Sequence, residues 1–477
     1  MKPVTFSDAA ATAYQQDRIA HWDAIARKKD TWKGLGGWYH HRMVEIYRFH
    51  VSPGQTILEL GCAEGHLLAA LKPARGVGID FSEEMIYRAR KQYPELDFIH
   101  GDVHHLADLR ETFDVIILSD LVNDLWDVQH VLEQLKPFCA PHTRLLINFY
   151  SRLWQLPLNL ARTLNLASPN LYQNWLTRED VNALLRLADF ETIRNTQEIL
   201  WPLWLGGFAN RFLVRLWPFS EMALSNFVIA RPMPQRGQEA MVSVIIPARN
   251  ESGNIKAIFD RTPQMGRETE FVFVEGHSQD DTYAMIEQEM ASHPSTSCLL
   301  LRQTGLGKGD AVRLGFSKAR GDVLMILDAD LTVPPEDLPR FYEALVSGKG
   351  EFINGVRLVY PMEREAMRAL NFLGNKFFSL AFSWLLGQPI KDTLCGTKVL
   401  WKRDYEQIAS NRSYFGEFDP FGDYDLIFGA AKLNLKIIDL PIRYRERTYG
   451  STNISRWRHG LQLLRMVMFA AQRIKFV

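Results

Sequence analysis

Short apolar runs alternate along this chain with stretches of helical periodicity, and most runs break abruptly into glycine, proline or an acid. In the first half the runs sit in TILELGCAEGHLLAALK (56–72), GVGIDFSEEM (76–85), LDFIHGDV (96–103) and FDVIILSDLVND (113–124). In the second half they sit in VSVIIPARN (242–250), FVFVEGHSQDDT (271–282) and GDVLMILDADL (321–331). Strands of this kind, separated by helical segments, predict α/β architecture with a largely parallel sheet in each half. One joint stands out. After LSNFVIARP (224–232) comes the polar MPQRGQEAM (233–241), and a fresh apolar strand then begins. This sets a boundary near residue 237 between domains at 1–236 and 237–477, the first with a helical lead-in over 1–50. The longest apolar stretches, such as FFSLAFSWLLG (377–387), fall short of the roughly 18 to 20 residues a membrane-spanning helix needs.

Composition narrows the class. The chain has 477 residues, 47% hydrophobic and 23% charged, and its 55 Lys+Arg balance 55 Asp+Glu, so no global field favours nucleic acid as a partner. Cys62, Cys139, Cys298 and Cys395 lie far apart and form no C-x-x-C pair, which argues against a zinc site or a disulfide framework. With no apolar core at the N-terminus for secretion, the expected location is the cytoplasm. Local charge adds one feature: residues 441–477 carry an excess of seven basic over acidic side chains. There Trp457, Leu461, Leu464 and Met468 recur at helical spacing, while Arg458, Gln462 and Arg465 share another face. Such a helix either lies on the inner, anionic face of a membrane or packs on its own domain. The segment WPLWLGGFANRFLVRLWPF (201–219) likewise reads as a lipid-side platform or a covering helix.

The chemistry of the first half lies at its strand ends. Gly61 and Gly65 allow a tight turn after the first strand, with helix amides beyond it open to a ligand. Asp80, Asp102 and Asp120 end the next three strands, so the acids line one sheet edge, and Ser82 is placed to cap the helix after Asp80. A dinucleotide G-x-G-x-x-G does not fit, because Ala63 holds the second glycine position and the next glycine comes one residue early. Glu59, Gly61, Ala63 and Gly65 instead resemble the E-x-G-x-G-x-G motif of class I S-adenosylmethionine-dependent methyltransferases, over residues 40 to 230 or so. The resemblance implies that the Gly61–Gly65 loop meets the methionine moiety, Asp80 the ribose, and Asp102 with Val103 the adenine, with Asp120 completing the cofactor edge. Asp120, Asn123 and Asp124 stand where such enzymes meet substrate, or serve as helix caps and solvated acids. The pairs His40, His41 and His104, His105 lack metal-ligand spacing and read as structural or surface residues. Displacement at a sulfonium depends mainly on positioning, so no obligatory catalytic residue is recognisable. The alternative is a non-catalytic docking module.

In the second half Asp328 and Asp330 flank Ala329 at the mouth of an apolar strand. If the strand continues through them, residues i and i+2 project to one side, and two hard oxygen donors suit Mg²⁺ or Mn²⁺ held through a diphosphate. These residues, with PARNES (247–252), GLGKGD (305–310), IKDTLCGTKVLWKR (390–403) and FGDYDL (421–426), resemble family 2 glycosyltransferases of the GT-A fold. The resemblance implies a nucleotide-sugar donor, with Pro247, Arg249, Glu251 and Glu275 lining the base and ribose pocket, Lys308 reaching toward the nucleotide, and Asp328 and Asp330 as the D-x-D metal element. For an inverting transfer to a sugar hydroxyl it places the base at Asp423 or Asp425. RTYGSTNI (447–454) is similar to the R-x-x-G-x-S-K segment of the polyprenyl-phosphate branch in Arg447, Gly450 and Thr452, with Arg456 nearby. A phosphate acceptor needs no base. Asn453 stands in place of the lysine, which favours a hydroxyl on a glycan or lipid-linked acceptor. The whole reads as a bifunctional enzyme of two Rossmann-like α/β domains in surface polysaccharide or glycolipid synthesis.

Overall fold

The outgoing ends of parallel strands gather the acids of each half at one edge. The computed structural model describes residues 8–28, 37–106, 109–163, 171–203, 206–237, 239–357, 359, 369–414, 424–445, 447, 449 and 456–476. The chain divides into two units, Met1–Met233 with Phe476–Val477, and Pro234–Lys475.

The first unit holds β1 (Thr56–Leu60), β2 (Arg75–Asp80), β3 (Asp97–His100), β4 (Phe113–Ser119), β5 (Cys139–Tyr150), β6 (Phe190–Glu198) and β7 (Ser225–Pro232) in the order β3-β2-β1-β4-β5-β7-β6. All neighbours run parallel except β7, which is antiparallel to both β5 and β6. Strand side chains alternate between faces, and the core follows that alternation. Leu58, Leu60, Ile116, Leu118, Leu145 and Ile147 belong to one buried cluster. Ile57, Val115, Ile117 and Leu146 belong to another. A sheet buried on both faces needs continuous apolar strands, and these runs supply them.

The second unit holds β8 (Met241–Ala248), β9 (Glu268–Glu275), β10 (Ser297–Arg302), β11 (Val323–Ile326), β12 (Phe352–Val356), β13 (Lys398–Trp401) and β14 (Ile437–Pro441) in the order β10-β9-β8-β11-β13-β12-β14. Only β13 runs antiparallel to its neighbours. Val242, Val244, Ile246, Phe271 and Phe273 face one core cluster. On the other face the helix Lys308–Lys318 lies close enough that a Cβ on Gly315 would stand 2.6 Å from the Ile245 side chain.

Three expectations of local structure fail. β11 ends at Ile326, so Asp328 and Asp330 lie in a turn and not in an extended strand; Leu331 has φ +53°. Thr332, which by its place before Pro334 and Pro335 is expected to cap the next helix, caps none: its amide and hydroxyl both donate to Asp330 Oδ1. Residues 201–219 form no single helix either, giving a short helix Gly207–Arg211 and a 3₁₀ turn Leu213–Arg215.

Gly65 is needed twice over. Its φ is +75°, and an added Cβ would stand 2.5 Å from the Phe98 ring. Gly65→Ala is expected to lower the stability of the first unit by about 1–3 kcal/mol, read from denaturant midpoints, with the second unit's transition unmoved.

Candidate functional sites

At the first unit's edge the backbone does much of the holding. Gly61 and Ala63 take positive φ (69° and 45°), and the Gly61 and Cys62 amides donate to the Ile79 carbonyl. That curl presents the Ala63 amide to Asp80 Oδ2 at 2.9 Å, while Asp80 Oδ1 accepts from the Ser82 amide at 2.9 Å. Burial still dominates and pushes the Asp80 carboxyl up to about 6. Ser82 caps the helix Glu83–Gln92 through the Met85 amide, as its position predicts. Glu59 is almost wholly buried, burial pushes it up to about 8, and its Oε2 has no hydrogen-bond partner among the described residues. Asp120, at φ +53°, accepts from the Tyr39 hydroxyl (2.9 and 3.0 Å) and Asn148 Nδ2 (2.5 Å), yet burial raises it to about 7.

The remaining polar groups of this edge are held by partners within the chain. Asp102 is clamped by His104, through its amide (3.0 Å) and Nδ1 (2.8 Å), and by His105 Nδ1 (3.2 Å). Burial opposes its ionisation, but these bonds outweigh it and hold the carboxyl down at about 2. Asn123 is buried and bonded within the chain: Nδ2 donates to the Asn174 carbonyl and Oδ1 accepts from the Tyr150 amide. Asp124 is neither a cap nor a solvated acid. It takes Arg18 Nε at 2.8 Å and Trp22 Nε1 at 2.9 Å from the helix Asp8–Lys28, whose Asp23 also accepts from the Ser82 hydroxyl. This helix lies across the edge beside Asp80. Its polar anchors bond residues 59 to 154 positions away, a separation at which sequence spacing carries no signal.

In the second unit the acids meet cations. Lys308 Nζ stands 2.6 Å from Asp328 Oδ1. Burial opposes ionisation of Asp328, and Lys308, with Lys398 and Arg357 farther off, prevails and holds its carboxyl below the ordinary value. Arg447 NH2 stands 2.6 Å from Asp330 Oδ2 and its NH1 3.8 Å from Glu251 Oε1, so one guanidinium bridges the ends of β8 and β11. Tyr449 follows it onto the 250–253 turn, its hydroxyl 3.1 Å from Ser252 Oγ. Glu275 Oε1 accepts from the Ser278 amide at 2.5 Å, Pro247 is the last residue but one of β8, whose final Ala248 pairs with Glu275, and Arg249 is exposed. Asp425 Oδ2 lies 3.3 Å from Arg412 Nε. Asp423, Gly450, Thr452 and Asn453 lie outside the described residues, as does the Arg456 side chain.

The sequence reading missed three groups here. Arg357 grips Asp392 in a fork (2.7 and 2.9 Å), Lys398 is fully buried, and Gly396 lies against the D-x-D turn. A Cβ on Gly396 would fall 2.0 Å from Asp328 Oδ2 and 2.4 Å from Lys308 Nζ, which leaves only glycine able to keep that space open. The signal was present in DTLCGTK (392–398), a buried strand entry holding an acid, a glycine and a lysine.

Comparison with known proteins bears on both units. The glycosyl transferase family 2 profile matches residues 243–408, and a methyltransferase domain profile matches residues 51–192. A methyltransferase domain precedes a family 2 glycosyltransferase domain. The two sheets are accordingly a class I methyltransferase fold and a GT-A fold, in that order. Dolichol-phosphate mannosyltransferase of Saccharomyces cerevisiae is 36% identical over 108 residues, 22% of this chain and 40% of that protein. An undecaprenyl-phosphate 4-deoxy-4-formamido-L-arabinose transferase of Klebsiella pneumoniae is 34% identical over 218 residues, 45% of this chain and 62% of that protein. The chain thus spans less than two thirds of the length of the curated relatives it matches. Among solved structures, the glucosyl-3-phosphoglycerate synthase of Mycobacterium tuberculosis is 16% identical, with a TM-score of 0.37, covering 49% of this chain and 80% of that one.

The raised acids of the methyltransferase domain set a pH dependence. Glu59 and Asp120 keep their protons to about 8 and 7 in the folded state and lose them near 4 when unfolded. Above pH 6.5 the folded chain therefore binds more protons than the unfolded chain, and stability falls as pH rises. The ligand-free domain is expected to show a falling Tm between pH 6.5 and 8, with the slope reduced in Glu59→Gln. A flat profile in the parent protein would contradict the burial of these carboxyls.

Proposed function

We propose that the chain is a bifunctional transferase: the first domain moves a methyl group from S-adenosylmethionine, and the second moves a sugar, with inversion, from a nucleotide-sugar donor to polyprenyl phosphate. The observation that carries the reading is the opposite electrostatic character of the two strand-edge sites inside their matched domains. S-adenosylmethionine bears a sulfonium and an ammonium. The unpartnered Glu59 Oε2 and the Gly61–Gly65 curl fit its methionine end, and Asp80 keeps acceptor capacity for ribose hydroxyls. The cofactor supplies an activated methyl group. The chain's part is to orient it, with Asp102, Val103 and Asp120 along the same edge. In the second domain, Asp328 and Asp330 fit Mg²⁺ or Mn²⁺ beside the space that Gly396 keeps open. No cluster of three metal-ligating side chains exists among the described residues, so a diphosphate would complete the shell. Lys308 lies against Asp328, where it would neutralise phosphate charge, with Pro247, Arg249, Glu251 and Glu275 around the nucleoside.

Polyprenyl phosphate is favoured over a sugar hydroxyl because the relatives are named for lipid-phosphate acceptors and Asp425 is engaged by Arg412. Arg447 and Arg456 are the basic residues assigned to that phosphate. Peripheral membrane contact fits the same reading. Among the described residues no helix is long and apolar enough to cross a membrane. The helix Arg456–Ala470 packs through Leu463, Met466 and Ala470, as one of the two expectations has it, and leaves Leu461, Leu464 and Met468 exposed, an apolar face that suits lipid. The product would enter surface polysaccharide or glycolipid synthesis.

Paired substitutions separate the two activities. Asp80→Ala is expected to weaken S-adenosylmethionine binding about tenfold or more by calorimetry while metal-dependent nucleotide-sugar binding is retained, and Asp330→Asn to do the reverse. Sugar transfer that survives both Asp330→Asn and EDTA would remove the metal assignment. For the acceptor, Asp423→Asn and Asp425→Asn should each leave turnover on polyprenyl phosphate within a few-fold of the parent, whereas Arg447→Ala should raise the acceptor KM. A loss of about 10² to 10⁴ in kcat with Asp423→Asn would point instead to a base and a hydroxyl acceptor.

A further inference from the structure

The first domain exposes more apolar surface than its fold requires, and does so beside the cofactor site. β5 ends at Tyr150 and β6 at Glu198, and both residues pair with Ser225, the first of β7. Residues 151–163, 199–203 and 206–224 therefore leave the sheet at the edge that carries Asp120, whose amide donates to Asn148 near the end of β5. Backbone bonds join them: Ser151 N to the Leu224 carbonyl (2.7 Å) and Leu224 N to the Ile199 carbonyl (2.8 Å). Trp154 Nε1 adds a bond to the Met222 carbonyl at 2.9 Å. These segments thus form one surface.

That surface is apolar where water should be. Leu153, Leu156 and Leu160, at helical spacing, are 67%, 80% and 62% exposed, and Phe208 and Trp217 are 67% and 82% exposed. Contiguous exposure on this scale marks an interaction face. Its surface charges are one-sided: Arg152, Arg162 and Arg211 against the single acid Glu221, which is paired with Arg178 at 2.8 Å, while Arg215 is held by the buried Glu198 at 2.6 Å. A symmetric contact between two copies would set these arginines against themselves. An anionic bilayer accepts both features, taking leucine and phenylalanine below the headgroups, tryptophan at their level and arginine against phosphate.

We propose that residues 151–163, 199–203 and 206–224 form a platform that seats the methyltransferase domain on an anionic lipid bilayer, so that the cofactor edge meets a methyl acceptor anchored in that bilayer. The acceptor assignment rests on the methyltransferase reading above; the platform does not.

The test uses the full chain with phosphatidylglycerol and phosphatidylcholine vesicles. Leu156→Glu combined with Trp217→Glu is expected to lower partition onto phosphatidylglycerol vesicles about tenfold or more, with Tm and S-adenosylmethionine affinity retained. Leu461→Glu combined with Met468→Glu gives the share due to the C-terminal helix. Fluorescence quenching by brominated phosphatidylglycerol should be smaller in Trp217→Phe than in the parent. Unchanged partition in the first double variant, or equal quenching with and without Trp217, overturns the platform. A lipid-free dimer that the same variant dissolves would also overturn it, by assigning the face to a second copy. A parent chain that seats on vesicles yet binds no S-adenosylmethionine keeps the platform and removes the acceptor.

Discussion

Both domains are organised around the cost of keeping a carboxylate ionised at the dry edge of a buried sheet. Parallel strands that are apolar along their length must place their polar chemistry where they end, and in this chain those ends carry Glu59, Asp80, Asp120, Glu251, Glu275, Asp328 and Asp330. The two domains meet that cost differently. At Asp80 and Asp120 the methyltransferase domain supplies neutral donors, the Ala63 and Ser82 amides, the Tyr39 hydroxyl and the Asn148 amide, and leaves both carboxyls raised, whereas Asp102, gripped by His104 and His105, is held down. The glycosyltransferase domain supplies full cations, Lys308 and Arg447, and Asp328 stays ionised.

The difference selects ligands. An edge of raised carboxyls gains most from a cation that arrives with the ligand, because each acid then regains the ionised form that burial opposed. A sulfonium cofactor fits that role. An edge whose acids are already matched by lysine and arginine gains from a ligand carrying both signs, a diphosphate with its divalent metal, which can take over the partners of both. Arg447 expresses this most directly, since its guanidinium holds Asp330 and approaches Glu251 from a segment more than a hundred residues away.

Strand ends were legible in the sequence because an apolar run that stops at an acid or glycine is a local signal: Asp80, Asp120 and Ser82 stand where the spacing put them. The turn at Asp328–Asp330 was not, since its positive φ falls on Leu331, a residue that gives no hint of a left-handed backbone. Contacts that close each site were also hidden. Nothing near Asp124 signals that Arg18 and Trp22 will bond it, and the adjacent histidines at 104 and 105 reveal their purpose only when the chain folds back on Asp102. The exposed face of the C-terminal helix shows the limit of periodicity itself. Leu461, Leu464 and Met468 do share a face, but the domain's core takes Leu463 and Met466 instead.

That exposed helix and the platform beside the methyltransferase site give the fusion a physical rationale. Two enzymes gain from covalent linkage when their substrates share a place, because the link turns a second encounter into an intramolecular event at high effective concentration. A soluble methyl acceptor would make little use of this, since it diffuses away from the chain between steps. An acceptor held in a bilayer stays within reach of any domain that binds the same membrane, and there the gain from joining the domains is large. If the proposed platform and the exposed face of the C-terminal helix both meet lipid, methyl transfer and sugar transfer would draw on one pool of lipid-tethered intermediates.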